Sequence, residues 1–393
     1  MSMRVLVLHN YYQQRGGEDM VVEAEVDLLR QHGSEVGTLF RHNDELKNVS
    51  GISAALNTFW SGNSGQQLQE KIEAFKPDVI HVHNTFPLLS PSVFWTAERL
   101  RVPIVQTLHN FRLLCPQATF LRNGQICEDC LGTSPWRGVS RRCYRGSLPA
   151  SAVLAGMTTL HRSIGTFRKR VTRYIALNDF CRDKFIQGGL PAERISVKPN
   201  FVDLPVSSAS EARRGGVYVG RLSPEKGVEV MWKALTTMSS GEGLKVIGGG
   251  PMADLLEGAS NIRMLGQLPF GAVAQELSRA SYLVLPSICY ESFPRTLVEA
   301  YACGLPVIAS RLGALAGLID HQRTGLLFEP GNPAALAEAI RWAEANPEEM
   351  RRMGENARAE YLDYYSPENN VRQLLAIYAR AINESTASQT GSG

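Results

Sequence analysis

Ser287–Pro306 reads SICYESFPRTLVEAYACGLP. Within it Glu291 and Glu299 stand eight positions apart. Before it, Tyr282–Ser287 is an apolar run, YLVLPS, of the kind that forms a buried strand. After it starts, Pro294 opens a helical pattern, Leu297, Val298 and Tyr301 supply its apolar face, and Gly304 closes it. The spacing therefore puts Glu291 in the loop leaving the carboxyl end of a strand, and Glu299 about a turn and a half into the next helix. In open α/β sheets that crevice is where ligands bind. A helix N-terminus there offers unpaired N–H groups and the positive end of a dipole, which suits a phosphate. Two carboxylates beside it can accept hydrogen bonds from sugar or ribose hydroxyls. A strand-loop-helix with a Glu-rich surface is the plain alternative.

The stretch resembles the E-x7-E signature of the retaining glycosyltransferases of family 4, which have the GT-B fold. That family usually has Glu-Gly-Phe-Gly at its first Glu; here Glu291-Ser292-Phe293-Pro294 keeps the Phe and lacks both glycines. The resemblance implies an α/β chain of two Rossmann-like domains whose parallel sheets face each other across a cleft.

The 393 residues suit two domains, and 44% hydrophobic residues can fill two cores. A net charge of +3, with 20% charged residues, gives no bulk argument for nucleic acid. No apolar run has the length of a membrane-spanning helix. The N-terminus, MSMRVLVLHN, enters a strand directly and lacks a signal-peptide cleavage region, so a cytoplasmic protein is expected, peripheral on the inner membrane face.

Strand and helix patterns alternate along the chain, which implies right-handed βαβ units and parallel sheets. Arg4–His9 is the first strand and Glu18–Gln31 the first helix, joined by a loop ending in Gly16-Gly17. Two glycines let backbone approach a ligand closely at a helix start. Further strands are expected at Val36–Phe40, Asp78–His83, Pro103–His109, Tyr174–Leu177 and Ile195–Lys198, with helices at Gln66–Phe75 and Pro91–Leu100. Leu204–Gly215, rich in Ser, Ala, Pro and Gly, reads as the linker. The alternation resumes at Gly216–Gly220. Gly220-Arg221-Leu222-Ser223-Pro224-Glu225-Lys226-Gly227 then leads into a helix, and two cations at a helix start make a pyrophosphate clamp. Leu244–Ile247 runs into Gly248-Gly249-Gly250. The expected domains are 1–203, with an insertion at 115–145, and 204–365. A last helix at 366–385 is expected to cross back to the first domain, as the fold family implies. The polar tail ASQTGSG is expected to be disordered.

Several positions match the family's motifs one by one. Gly16-Gly17 is similar to its first-loop glycine pair, which contacts donor phosphate or acceptor. His109, ending the strand in TLHNF, matches its strand-end His on the donor sugar. Gly220–Gly227 matches G-R-L-x-x-x-K-G, and Pro199-Asn200-Phe201-Val202-Asp203 is similar to Pro-Asn-Gly-Val-Asp at the domain junction. The resemblance implies that Arg221 and Lys226 offset the leaving diphosphate and that Glu291 and His109 hold sugar hydroxyls. It implies also that Glu299 holds the ribose and that the backbone from Phe293 through Pro294 to Arg295, with its main-chain N–H groups, lies against sugar or phosphate. Gly220 and Gly249 would lie beside the nucleotide. There is no Asp-x-Asp pair, so no cofactor is expected for catalysis. The implied partners are a nucleotide-diphosphate sugar and a glycan or lipid-linked acceptor, in cell-surface polysaccharide assembly. Two other readings are a nucleotide-sugar epimerase of the same fold and a non-catalytic sugar-nucleotide-binding subunit. Base, sugar and acceptor are not readable.

Two features stand outside this pattern. From Leu131 through Asn178 there is no Asp or Glu, while Arg137, Arg141, Arg142, Arg145, Arg162, Arg168, Lys169, Arg170 and Arg173 all fall there. Such a stretch is a solvated basic face or a surface for anionic lipid headgroups or an anionic acceptor. Cys115, Cys127, Cys130 and Cys143 fall in the insertion, with Cys127-Glu128-Asp129-Cys130 a C-x-x-C. In a reducing compartment four thiolates suit a structural zinc better than disulfides, with thiols in a loop as the alternative.

Overall fold

The computed structural model describes residues 2–204, 213–238 and 243–390. The chain forms two compact units. One comprises residues 1–119, 128–199 and 370–393, the other residues 120–127 and 200–369. The strands are β1 (Arg4–Tyr11), β2 (Glu35–His42), β3 (Val79–Val82), β4 (Ile104–Thr107), β5 (Leu121–Arg122), β6 (Gln125–Ile126), β7 (Arg173–Ala176) and β8 (Ile195–Val197), followed by β9 (Gly216–Val219), β10 (Leu244–Ile247), β11 (Ile262–Gly266), β12 (Tyr282–Leu285), β13 (Val307–Ser310) and β14 (Gly325–Phe328).

The first unit holds a six-stranded sheet in the order β2-β1-β3-β4-β7-β8, parallel throughout. β1 is buried from Val5 to Asn10, because helices cover both faces of a parallel sheet and its strands need no polar side. The second sheet runs β11-β10-β9-β12-β13-β14, also parallel. Its core joins Tyr218, Leu222, Met231, Val246, Val284 and Ile308 to Leu336 and Ile340 of the helix Pro333–Ala345. The strand order reverses between β1 and β3 in the first sheet and between β9 and β12 in the second. At such a switch point the loops leaving neighbouring strands diverge and open a crevice. β9 leads into Arg221 and Lys226, β12 into Glu291.

The structure departs from the sequence reading in four places. A helix at Gly51–Phe59 and a sixteen-residue helix at Leu148–Ser163 form where no helix is expected from the sequence; Ser50 and Ser147 cap them by accepting from Ser53 N and Ala150 N. Part of the insertion, residues 120–127 with the β5–β6 hairpin, groups with the second unit. The last helix runs from Pro367 to Thr390, so Ala387–Thr390 of the tail is helical rather than disordered. Most of the linker reading falls at 205–212, outside the described residues. Among the described residues no helix is long and apolar enough to cross a membrane.

Candidate functional site

In the second unit the loop after β9 and the loop after β12 meet through backbone. Ile288 N donates to Glu225 O at 3.0 Å. Gly227 sits between them at φ +71°, and a Cβ there would lie 1.9 Å from the Pro286 carbonyl oxygen, so only glycine fits. That approach brings two side chains together across 65 residues of sequence: Lys226 Nζ donates to Glu291 Oε1 at 2.7 Å and to Oε2 at 2.9 Å. Ser287 Oγ donates to the same Oε1 at 2.6 Å. Burial opposes charge on both partners, and each offsets it for the other. The Glu291 carboxyl is held below its ordinary range by Lys226 and Ser287, and the Lys226 ammonium is held above its own by Glu291. The sequence reading assigned Lys226 and Glu291 separate tasks; the structure binds them into one unit.

Arg221 lies on the same loop as Lys226 and is exposed, its carbonyl accepting from Tyr218 Oη at 2.8 Å. Gly220 N donates to Ile247 O at 3.0 Å and Leu222 N to Gly249 O at 2.9 Å, so the two glycine-bearing loops lie against each other. Gly248 has φ +135°, and a Cβ there would meet Gly220 O at 1.9 Å. Beyond Glu291, Phe293 is buried and Pro294 is the N-cap of the helix Arg295–Ala302, with no side-chain cap and no acidic residue in its first turn. That N-terminus is electropositive without local compensation. Glu299 lies one turn further in, and Arg295 Nε is 2.9 Å from its Oε1. Burial pushes the Glu299 carboxyl up and Arg295 works against it. The sequence reading used Arg295 for its main-chain N–H; the structure also commits its guanidinium, to Glu299 and over the Phe270 ring.

In the first unit the carboxyl ends of β1, β3 and β4 carry a buried polar cluster. Asn10 accepts from Leu88 N at 3.0 Å, and Asn84 donates to Asn10 O at 2.9 Å. His109 lies in the loop two residues beyond the end of β4 at Thr107, rather than ending the strand as expected, and is half-buried with its Nε2 2.8 Å from His83 Nδ1. Burial, then neighbouring imidazoles, keep both rings well below the ordinary histidine range, hence neutral. Gly16-Gly17 opens the helix Gly17–Gln31, with Gly16 N donating to Asp19 Oδ2 at 2.9 Å; a Cβ at either glycine would meet nothing within 4 Å. Glu25, His81 and His83 place ligand atoms within 4.8 Å of one another, as a metal site would. Two observations fit a metal poorly. Lys198 Nζ already stands 3.1 Å from Glu25 Oε1, and both His81 nitrogens are engaged, Nδ1 with Tyr378 Oη at 2.7 Å and Nε2 with Thr107 Oγ1 at 2.8 Å. Burial pushes His81 down to about 4.

Sequence reasoning missed Glu25, His83, Lys198 and Tyr378, as well as Glu18. The Glu18 carboxylate accepts from Tyr12 Oη at 2.9 Å while its Oε1 is buried with no hydrogen-bond partner. Polar residues inside an apolar strand, such as the two histidines of VIHVH at 79–83, were the available signal. In the insertion Cys115 and Cys130 are buried and Cys127 and Cys143 half-buried. The acid-free stretch divides. Arg173 is buried against Glu384, Arg170 pairs with Glu98 over Trp95, and Arg162 donates to Leu113 O at 2.5 Å. Arg137, Arg142, Arg145, Arg168 and Lys169 remain at the surface.

Comparison with known proteins agrees with this architecture. The model of the family "Glycosyltransferase Family 4" matches residues 5–205, more than half of the chain, and that of "Glycosyl transferases group 1" matches residues 207–360. An uncharacterized glycosyltransferase of Methanocaldococcus jannaschii is 26% identical over 394 aligned positions, covering 96% of this chain and 98% of the relative. A Bacillus subtilis glycosyltransferase named for teichuronic acid biosynthesis is 36% identical over 129 residues, 33% of this chain and 32% of that one. The crystal structure of Anabaena HepE in complex with UDP has a TM-score of 0.67 at 18% identity, covering 96% of this chain and all of the other (100%). Two parallel α/β units with these strand orders are of the GT-B type, and the chain belongs to glycosyltransferase family 4.

Proposed function

We propose that this glycosyltransferase moves a sugar, with retention, from a nucleotide-diphosphate sugar to a glycan or lipid-linked acceptor in cell-surface polysaccharide assembly. The observation that carries the reading is the Lys226–Glu291 pair at the switch point of the second sheet, next to an uncapped helix N-terminus. An ammonium has three donors and Glu291 engages two of them, leaving one for a diphosphate oxygen. Arg221 supplies a second cation, Glu291 keeps acceptor capacity for sugar hydroxyls, and Glu299 takes the ribose. His109 holds a further sugar hydroxyl. The bond from the anomeric carbon to the diphosphate oxygen breaks as the bond to the acceptor oxygen forms on the same face. The acceptor's proton passes to the departing phosphate oxygen, so no side chain acts as nucleophile, and Arg221 and Lys226 offset the developing charge without a metal. The names of the Bacillus relative and the UDP complex of HepE support the polysaccharide role and a uridine nucleotide. Turnover across UDP-, GDP- and ADP-sugars, with the anomeric configuration of the product read by NMR, tests it; an inverted product contradicts it.

The reading extends to a membrane-facing surface on the first unit. Ile52 and Leu56, 78% and 66% exposed, lie one turn apart on the helix Gly51–Phe59. That helix packs on Leu148–Ser163, where Gly156 lies against the Phe59 ring, and Leu148, Leu160 and Ile164 are exposed as well. The surface arginines named above lie on the same acid-free stretch. Apolar side chains beside cations suit an anionic bilayer surface. Sedimentation with anionic vesicles is expected to exceed that with neutral ones and to fall with salt, and Ile52→Ser with Leu56→Ser to weaken it; equal binding to both vesicles contradicts the surface. A structural zinc on Cys115, Cys127, Cys130 and Cys143 is proposed from the sequence, and metal analysis of protein purified without added zinc decides it.

A further inference from the structure

Behind His109 the first unit holds a chain of buried groups. Lys198 Nζ donates to Asn370 Oδ1 at 2.9 Å and lies 3.1 Å from Glu25 Oε1. The other carboxylate oxygen, Oε2, faces His83 Nε2 at 3.5 Å, and that nitrogen has no hydrogen-bond partner. His83 Nδ1 in turn meets His109 Nε2 at 2.8 Å, with the two rings stacked at 5.1 Å between centroids. Glu25, Lys198 and His83 are nearly or wholly buried.

We infer that Glu25, anchored by Lys198, is a positioning residue that sets the tautomer of His109 through His83. A neutral imidazole has one N–H and one lone pair. A carboxylate only accepts, so Glu25 favours the proton on His83 Nε2; a lone pair turned toward Oε2 would be repelled in this dry setting. His83 Nδ1 is then the acceptor, and His109 must carry its proton on Nε2 to donate there. His109 Nδ1 then carries the lone pair and can act only as an acceptor. In the donor site proposed above, on which only this consequence rests, it accepts a hydrogen bond from a sugar hydroxyl rather than donating one. His81 does not enter the relay, because Tyr378 and Thr107 take both its nitrogens.

Long-range 1H–15N correlation on histidine-labelled protein reads the tautomer without any substrate, so it is independent of the transfer reaction. His109, assigned by loss of its signals in His109→Gln, is expected as a single Nε2–H tautomer across roughly pH 6–8, where an ordinary imidazole titrates. In Glu25→Gln the amide can donate or accept, so His109 is expected to show both tautomers. A proton on His109 Nδ1 in the wild-type protein overturns the inference, and that spectrum needs no variant to fold. An unchanged single tautomer in folded Glu25→Gln removes Glu25 from the role.

Discussion

Replacing Lys226 by Ala is expected to lower turnover by about 100- to 1,000-fold, the size seen when one preorganised group facing developing charge is lost. Two losses add. In the proposed mechanism the leaving diphosphate loses one of its two cations, and Glu291 loses the partner that keeps it ionised in a site where its side chain is 13% exposed. A buried carboxylate left alone raises its pKa, and a protonated Glu291 holds the sugar differently. Because Lys226 is itself 32% exposed, water compensates in part, and thermal stability is expected to fall by only about 1–2 kcal/mol. Folding is checked by circular dichroism before kinetics. Near-normal turnover in a folded Lys226→Ala protein removes the pair from the mechanism.

Gly227→Ala is expected to destabilise the second unit by about 2–5 kcal/mol. The left-handed conformation costs an alanine about 1–2 kcal/mol, and forcing a methyl into a filled space about 1–3 more. The obstruction is backbone, the Pro286 carbonyl oxygen at 1.9 Å, and it cannot rotate aside as a side chain would. Relief requires moving the loop that carries Ser287 and Glu291, so activity should fall with stability. Gly271→Ala is the matched control. Gly271 lies in the helix Phe270–Arg279 with nothing within 4 Å of its added Cβ, and alanine there should be neutral or stabilising by about 0.5–1 kcal/mol. Thermal unfolding of both variants measures the difference. Equal melting temperatures would falsify the claim that glycine is required where the two loops touch.

Much of this was legible from residues alone, because parallel strands declare themselves as short apolar runs and their helices by period. The loop position of Glu291 and the helical position of Glu299 follow from Pro294 and Gly304, which act on their immediate neighbours. What escaped depends on residues far apart in sequence. Nothing local joins Lys226 to Glu291, or Lys198 to Glu25 and Asn370; those pairs exist because β9 lies beside β12 and because the last helix packs with the first unit. The helices Gly51–Phe59 and Leu148–Ser163 escaped for another reason. Their outward faces carry Ile52, Leu56, Leu148 and Leu160 where a surface helix usually carries charge, so the amphipathic period is blurred. The short polar residues at 387–390 suggest disorder, yet the preceding helix continues through Thr390.

Calorimetry of free nucleoside diphosphate on the wild-type protein, Glu291→Ala and Glu299→Ala tests the donor site most directly. In the proposed donor site Glu299 takes the nucleoside and Glu291 the sugar. Wild type and Glu291→Ala should therefore bind the nucleotide with similar affinity, while Glu291→Ala turns over poorly. Glu299→Ala should bind it roughly tenfold or more weakly, the equivalent of about 1.4 kcal/mol for a lost hydrogen-bonding carboxylate. The reverse pattern, full nucleotide affinity in Glu299→Ala and loss in Glu291→Ala, contradicts the assignment of the two carboxylates.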